Sequence, residues 1–378
     1  MAISNEILEK FTLEGFLPPF WKGSLVYHEC LCPVEQADGS VRCGNLLYQP
    51  EEILSVRSHD LQTVYAEGRD YRFDGRSLVL PEGSAIPVCP AETYAPHYKE
   101  GEEEDVFVTN FDPSRHLVLD NLYELKYSLS VTYTHRDPWT GLVPQVQRDR
   151  LPNFIRKLEN REPVKIVYWG DSITVGWEAS GLDDQVLLIE TGEEFHANRT
   201  EAPYCPSWAK LVSSGLAAAY GPQVTHCNRA ASCSTTEWGL AHAQDKVVPQ
   251  EPDLVVIAFG MNEPNTLRPE MKDHLEKILA AISEKLPQTE YLLVSCMIPN
   301  PDSKAFSGQI LDEEEKAMFD IQAEGKYRVA VAPVNTMCRE MVRQGKLYPE
   351  LTGNNFNHPG DMMHRIYAQT ILAVLGEN

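Results

Sequence analysis

Residues 164–176 read VKIVYWGDSITVG, six positions dominated by β-branched and aromatic side chains, then Gly170-Asp171-Ser172. A run of that length and composition is a short, mostly buried strand. Gly170 permits a tight exit from it, and Ser172 then stands where a helix would begin. Its hydroxyl would lie at the carboxyl end of a strand beside unpaired amide donors, which is where open α/β sheets bind ligands. Taken alone, Gly-Asp-Ser says little, because Asp and Ser after a strand are also ordinary turn and N-cap residues. The rest of the chain has to carry the argument.

Downstream, strand-like runs recur at Gln223–Cys227, Leu254–Phe259, Tyr291–Met297 and Arg328–Val334. Helical patterns separate them at about 206–220, 234–247, 269–286 and 311–325, and a last one covers Met362–Leu375. Five strands alternating with helices predict a parallel sheet covered on both faces, a three-layer α/β/α domain. Residues 181–206 do not fit that rhythm and read as a long irregular segment, one wall of a site or a lid.

Upstream, residues 24–142 read as β-rich. Gly68 to Leu80 has two short runs separated by Asp74-Gly75, a hairpin signal, and Tyr123 to Thr134 puts Tyr, Leu, Tyr, Leu, Val and Tyr on one parity, a half-buried antiparallel strand. These predict a β-sandwich of jelly-roll type over residues 1–150, ahead of an α/β domain over 151–378, the join falling between about 143 and 163. The acidic run Glu100 to Asp105 reads as a solvated loop.

Composition narrows the class of function. At 378 residues with 43% hydrophobic side chains the chain can bury two cores, and a formal net charge of -22 argues against nucleic acid and against anionic membrane surfaces. No eighteen apolar residues run together, and the N-terminus lacks a basic start with an unbroken apolar run. The nine scattered cysteines therefore read as reduced thiols of a cytoplasmic protein. His28, Cys30, Cys32 and Cys43 fit no standard zinc spacing, and no metal or cofactor is expected.

Three more clusters fall after strands: Asn228-Arg229-Ala230-Ala231-Ser232-Cys233-Ser234, Gly260-Met261-Asn262-Glu263, and Asn355-Phe356-Asn357-His358-Pro359-Gly360-Asp361 before the last helix. Ester cleavage needs a nucleophile, a base of near-neutral pKa and donors for the oxyanion. Ser172 can attack, His358 can take its proton, and the donors would be the Ser172 and Cys233 amides and the Asn262 side chain. No Gly-x-Ser-x-Gly elbow occurs, which argues against the α/β-hydrolase arrangement. Trp177, Tyr204 and Trp238 could offer a stacking surface and Glu263 could touch the pocket, although aromatics beside such a sheet are commonly core. Asp171, next to the nucleophile, reads as a turn-holding residue that hydrogen-bonds nearby amides.

On Gly170-Asp171-Ser172-Ile173, the Asn228–Ser234 loop, Gly260-Met261-Asn262 and the His358 loop, residues 163–376 resemble the SGNH (GDSL) hydrolases. The resemblance implies a flavodoxin-like sheet, a serine nucleophile and esterase chemistry without metal or cofactor. A β-sandwich ahead of such a domain is similar to the arrangement in some acetyl-carbohydrate esterases. Two positions depart from the family pattern. Cys233 stands where glycine is usual, and Asn355 stands where the family's acid lies, three residues before His358. Either Asn355 or a backbone carbonyl orients His358, or another carboxylate substitutes, for which Asp361 is the nearest candidate and otherwise the N-cap of the last helix. The expectation is an esterase removing a small acyl group, acetyl, from a carbohydrate or polyol. A thioesterase or lysophospholipase, and a weakly catalytic carbohydrate-binding protein, are the alternatives; oligomeric state is open.

Overall fold

The computed structural model describes residues 4–98, 108–119, 123–263, 268–304 and 308–377. The acidic run at 100–105 lies outside them. The N-terminal part contains a three-stranded antiparallel sheet of β1 (Leu25–Leu31), β2 (Pro50–Ser58) and β3 (Leu129–His135), with β3 in the centre. Two short ribbons accompany it, Val34–Glu35 with Val41–Arg42 and Arg72–Asp74 with Ser77–Val79. The second is the hairpin expected at Asp74-Gly75, and Gly75 supplies its positive φ of 59°. Residues 123–127 form a helical turn, so β3 starts at Leu129, later than the alternation suggested.

The remainder is the α/β/α assembly. Helix α1 (Pro152–Glu159) leads into β4 (Val164–Gly170), followed by β5 (Val224–Asn228), β6 (Leu254–Ala258), β7 (Glu290–Val294) and β8 (Val329–Ala332). All pairings are parallel, in the order β5-β4-β6-β7-β8. Numbered within this sheet, that is 2-1-3-4-5, the flavodoxin-like order in which the switch point lies between the first and third strands. Both faces are covered, which explains the unbroken apolar runs. Ile166, Tyr168 and Val256 face a core with α3 (Trp208–Tyr220), α7 (Val334–Arg343) and α8 (Asp361–Val374). Val167, Trp169 and Ile257 face another with α4 (Thr236–His242), α5 (Arg268–Ser283) and α6 (Gly308–Glu324).

Two expectations need correction. Residues 181–206 are not wholly irregular, since Asp183–Leu187 and Glu194–Asn198 pair as an antiparallel hairpin. The His358 loop does not follow the last strand directly, because α7 intervenes. Val334, Met337, Cys338 and Met341, all buried, are spaced i, i+3, i+4, i+7, so the helical pattern was present in the sequence.

The apolar core crosses the expected domain boundary: Phe16, Leu31, Leu129 and Tyr133 belong to the same cluster as Trp208, Met337 and Tyr367. Charges cross it too. Lys346 is fully buried, 2.9 Å from Glu29 and 3.2 Å from Glu350, and donates to the Cys30 carbonyl at 2.6 Å. Arg365 donates to the carbonyls of Phe16, His28 and Tyr27 at 2.7–2.8 Å, and its guanidinium lies over the rings of Phe16 and Phe20. Removing one member of a buried ion pair leaves its partners charged in a dry interior. Lys346→Met should therefore lower the free energy of unfolding by about 3–5 kcal/mol in a urea titration, with both parts of the chain losing structure in one transition.

Candidate active site

Gly170 ends β4 and Asp171 caps the one-turn helix α2 (Ser172–Val175), its Oδ1 accepting from the Ile173 amide at 3.0 Å. Its Oδ2 accepts from the Met261 amide at 3.4 Å, which ties the loop after β6 to the Ser172 turn. The loop after β5 is tied to the same point: the Ala231 amide and Ser234 Oγ both donate to the Gly170 carbonyl at 3.1 Å. Asn228 fixes the base of that loop, its Nδ2 donating to Thr174 O and its Oδ1 accepting from Ala230 N.

The His358 loop is fastened from within. Asn354 Oδ1 accepts from the amides of Phe356, Asn357 and His358, each at 3.0 Å, and Thr352 Oγ1 donates to the His358 carbonyl at 2.9 Å. The loop delivers His358 Nε2 to 3.0 Å from Ser172 Oγ, while the serine is only 5% exposed. A hydroxyl at that distance from an imidazole, at the rim of a parallel sheet, is the pairing from which a serine nucleophile is activated.

Cys233 is exposed and holds φ +61°, in the left-handed region that glycine tolerates best. The Ser172 amide opens a helix and so has no intrahelical acceptor. Asn262 Nδ2 donates one hydrogen to the Ser234 carbonyl at 3.1 Å, which leaves its second for another acceptor.

Asn355 and Asp361 are placed otherwise than expected. Asn355, fully buried at φ +62°, donates from Nδ2 to the Tyr94 carbonyl at 3.0 Å and accepts from Asn300. Its side chain serves the loop's attachment to the N-terminal part and not the imidazole. Asp361 stands inside the first turn of α8, and Gly360 is the N-cap. Its Oδ1 accepts from Ser180 N at 2.9 Å, and its Oδ2 from Ser180 Oγ at 2.7 Å and from His59 Nε2 at 3.0 Å. Those hydrogen bonds hold its carboxyl below the usual range against the opposing effect of burial.

The carboxylate that faces His358 is one the sequence reading missed: Glu178 Oε1 lies 3.6 Å from Nδ1, and Arg199 Nη1 binds Glu178 Oε2 at 2.6 Å. Of the aromatics, Trp177 is half-buried and donates from Nε1 to Ser232 Oγ at 2.7 Å. Tyr204 is 56% exposed. Trp238 packs on Trp169 and donates to the Ile189 carbonyl, as part of the core. Glu263 is buried and accepts from the Thr236 amide. Among the described residues no group of three or more His, Cys, Asp or Glu side chains could hold a metal ion, and His28 is engaged by Ser130 and the Ile7 carbonyl. No helix of the described residues is long and apolar enough to cross a membrane.

Comparison with known proteins adds the following. Residues 168–366 match the model of the GDSL-like Lipase/Acylhydrolase family, and no similarity to a curated protein was found. Among solved structures, the acetylxylan esterase Axe2 of Geobacillus stearothermophilus is similar at 20% identity, covering 56% of this chain and 94% of that chain with a TM-score of 0.43. A putative GDSL-like lipase of Parabacteroides merdae is similar at 19% identity, covering 57% and 97%, TM-score 0.43. An alpha/beta hydrolase enzyme from the metagenome of Lake Arreo is similar at 18%, covering 56% and 95%, TM-score 0.42.

Burial pushes the Asp171 carboxyl up to about 6, against the pull of the Ile173 amide and the His358 imidazole. An acid whose folded value exceeds its unfolded one costs nothing when both states are protonated. As pH rises from about 4 to about 6 the unfolded chain gives up a proton that the folded chain keeps, so stability falls, and above about 6 the cost is complete at about 3 kcal/mol. Asp171→Asn removes this dependence. Its unfolding free energy relative to the wild type should shift in the variant's favour by about 2.4 kcal/mol between pH 4 and pH 7, as read from denaturant titrations at the two pH values.

Proposed function

Because the chain belongs to the GDSL-like lipase/acylhydrolase family and so acts on ester bonds, we propose that it is a serine esterase that removes acetyl groups from a carbohydrate or polyol through an acyl-enzyme intermediate. The observation that carries the reading is the 3.0 Å approach of Ser172 Oγ to His358 Nε2 at the carboxyl end of the sheet.

The reaction follows from that geometry. Ser172 Oγ bonds to the acyl carbon as its proton passes to His358 Nε2, and the carbonyl electron pair moves onto oxygen, where the Ser172 and Cys233 amides and the second Asn262 hydrogen stabilise it. Collapse breaks the ester C–O bond, and the departing alcohol takes the proton from Nε2. Water then repeats the sequence on the acyl-serine, its proton passing through His358 to Ser172 Oγ and the carboxylic acid leaving.

A small acyl group is favoured by Cys233, whose side chain occupies space that glycine would leave open on the oxyanion loop. An alcohol rich in hydroxyls suits the half-buried Trp177, whose indole binds Ser232 next to Cys233. The nine cysteines are all free thiols, which suits work in the reducing cytoplasm.

A fluorophosphonate probe should label Ser172, and Ser172→Ala should abolish turnover while the protein keeps its melting temperature. Labelling elsewhere with Ser172 unmodified would refute the proposal. With p-nitrophenyl esters, acetate should be cleaved at least about tenfold faster than octanoate, and Cys233→Gly should narrow that ratio. Equal rates for the two esters on the wild type would overturn the deacetylase assignment.

A further inference from the structure

Among the described residues His358 uses one of its ring nitrogens in a hydrogen bond: Nε2 faces Ser172, whereas Nδ1 is buried and has no hydrogen-bond partner there. Across from it stands Glu178, only 3% exposed at its side chain, its Oε1 3.6 Å from Nδ1. We propose that Glu178 is the carboxylate that positions His358, so that nucleophile, base and acid are Ser172, His358 and Glu178. The acid then comes from the turn after the nucleophile helix and not from the residue three before the histidine. The proposal rests on the serine-esterase reading above.

Further observations place Glu178 there by construction. Gly176, at φ +101°, terminates α2 after one turn, and Glu178 itself holds φ +70°, a conformation that a non-glycine residue keeps only when its surroundings enforce it. The enforcement comes from α8. Asp361 binds both the amide and the hydroxyl of Ser180, and His364 Nε2 donates to the Trp177 carbonyl at 3.2 Å, bracketing Glu178 on both sides. Burial pushes the His364 imidazole down to about 4, so it is neutral and its Nδ1 accepts from the Trp208 amide. The His358 loop in turn makes room for Glu178. A Cβ on Gly353 would lie 2.4 Å from the Glu178 Cβ, and Gly353 N donates to the His358 carbonyl, so the two loops touch where no side chain intervenes.

Arg199 completes the arrangement. Its guanidinium holds Oε2 at 2.6 Å and leaves Oε1 turned to the imidazole. The other two candidates are occupied, Asn355 by Tyr94 and Asn300, Asp361 by Ser180 and His59. A separation of 3.6 Å is an ion-pair distance, and hydrogen bonds of this kind commonly tighten once substrate is bound. With Nδ1–H directed at Glu178, Nε2 is the free lone pair that accepts the Ser172 proton, and the carboxylate stabilises the imidazolium that results.

The test needs no knowledge of the natural ester. On the full chain, the rate of Ser172 labelling by a fluorophosphonate is compared for the wild type, Glu178→Gln and Glu178→Asp, and kcat and KM are measured with p-nitrophenyl acetate. Glu178→Gln should slow labelling and lower kcat by about a thousandfold or more while KM stays within about threefold. Glu178→Asp, which keeps the charge on a shorter arm, should recover at least about tenfold of the loss. If Glu178→Gln folds poorly, Glu178→Gln with Arg199→Met removes both ends of the ion pair and should show the same loss. Labelling of Glu178→Gln at the wild-type rate, or a change confined to KM, overturns the proposal and leaves the serine-esterase reading standing. Failure of the wild type to be labelled at Ser172 overturns that reading instead.

Discussion

The absence of a side chain at Gly170 is the constraint on which the site depends. A Cβ there would lie 2.2 Å from both the Ala258 carbonyl and Thr174 Oγ1, distances no methyl can occupy. Because the position is bare, β6 passes close beside it. The Gly170 carbonyl then remains available to Ala231 and Ser234, and Asp171 reaches Ile173 and Met261. Three loops carrying Ser172 and the expected oxyanion donors are thus referred to two consecutive residues. The hydrogen bonds among them are individually worth about 1 kcal/mol, yet together they fix positions to which acyl-transfer chemistry is sensitive at the ångström level.

The N-terminal part bears on the same site. Arg365 donates to three backbone carbonyls and lies against two aromatic faces, and burial lowers its pKa to about 10. A guanidinium offers five donors in a fixed plane, so carbonyls of Phe16, Tyr27 and His28 can satisfy it only if that segment lies against α8. His59 and Tyr94 extend the dependence to the catalytic loops, the first through Asp361 and the second through Asn355. Changes in the N-terminal segment are therefore transmitted to the His358 loop and to the turn that carries Glu178 through hydrogen bonds with defined partners.

What could be read in the sequence follows from this division. The five parallel strands were legible because burial on both faces imposes continuous apolar runs, and the helices because their apolar positions repeat at helical spacing. Helix α7 carries the same spacing at Val334, Met337, Cys338 and Met341, yet no helix was expected between Arg328–Val334 and Met362. Ser172 and His358 were legible as residue types that chemistry requires after particular strands. Glu178 was not, because its relation to His358 spans 180 positions and depends on a positive φ at a glutamate, which no local preference announces. Asn355 misled for a related reason: its distance from His358 along the chain was right, but a left-handed backbone turns its amide toward Tyr94. Trp238 shows the limit for aromatics, since the pattern that places a ring near the rim does not tell which way it faces.

One electrostatic problem remains for any site that develops negative charge here. Glu263 lies close enough to raise the pKa of Asp171, and both raise that of Glu314, and a cluster of carboxylates would oppose an oxyanion. Burial resolves it. Glu314 Oε2 lies close to the Gly260 position, neither of its oxygens has a hydrogen-bond partner among the described residues, and desolvation first, then Glu263 and Asp171, push it well above the usual carboxylate range. That shift favours its neutral form and so lessens the charge beside the Gly260–Asn262 loop. Asp171, which ionises above about 6, does so facing the amides of Ile173 and Met261, whose dipoles absorb part of its field. Asp171 and Glu178, beside Ser172 and His358, each face donors, the first the amides of Ile173 and Met261 and the second the Arg199 guanidinium, so that negative charge next to the site is met by hydrogen bonds as well as limited by burial.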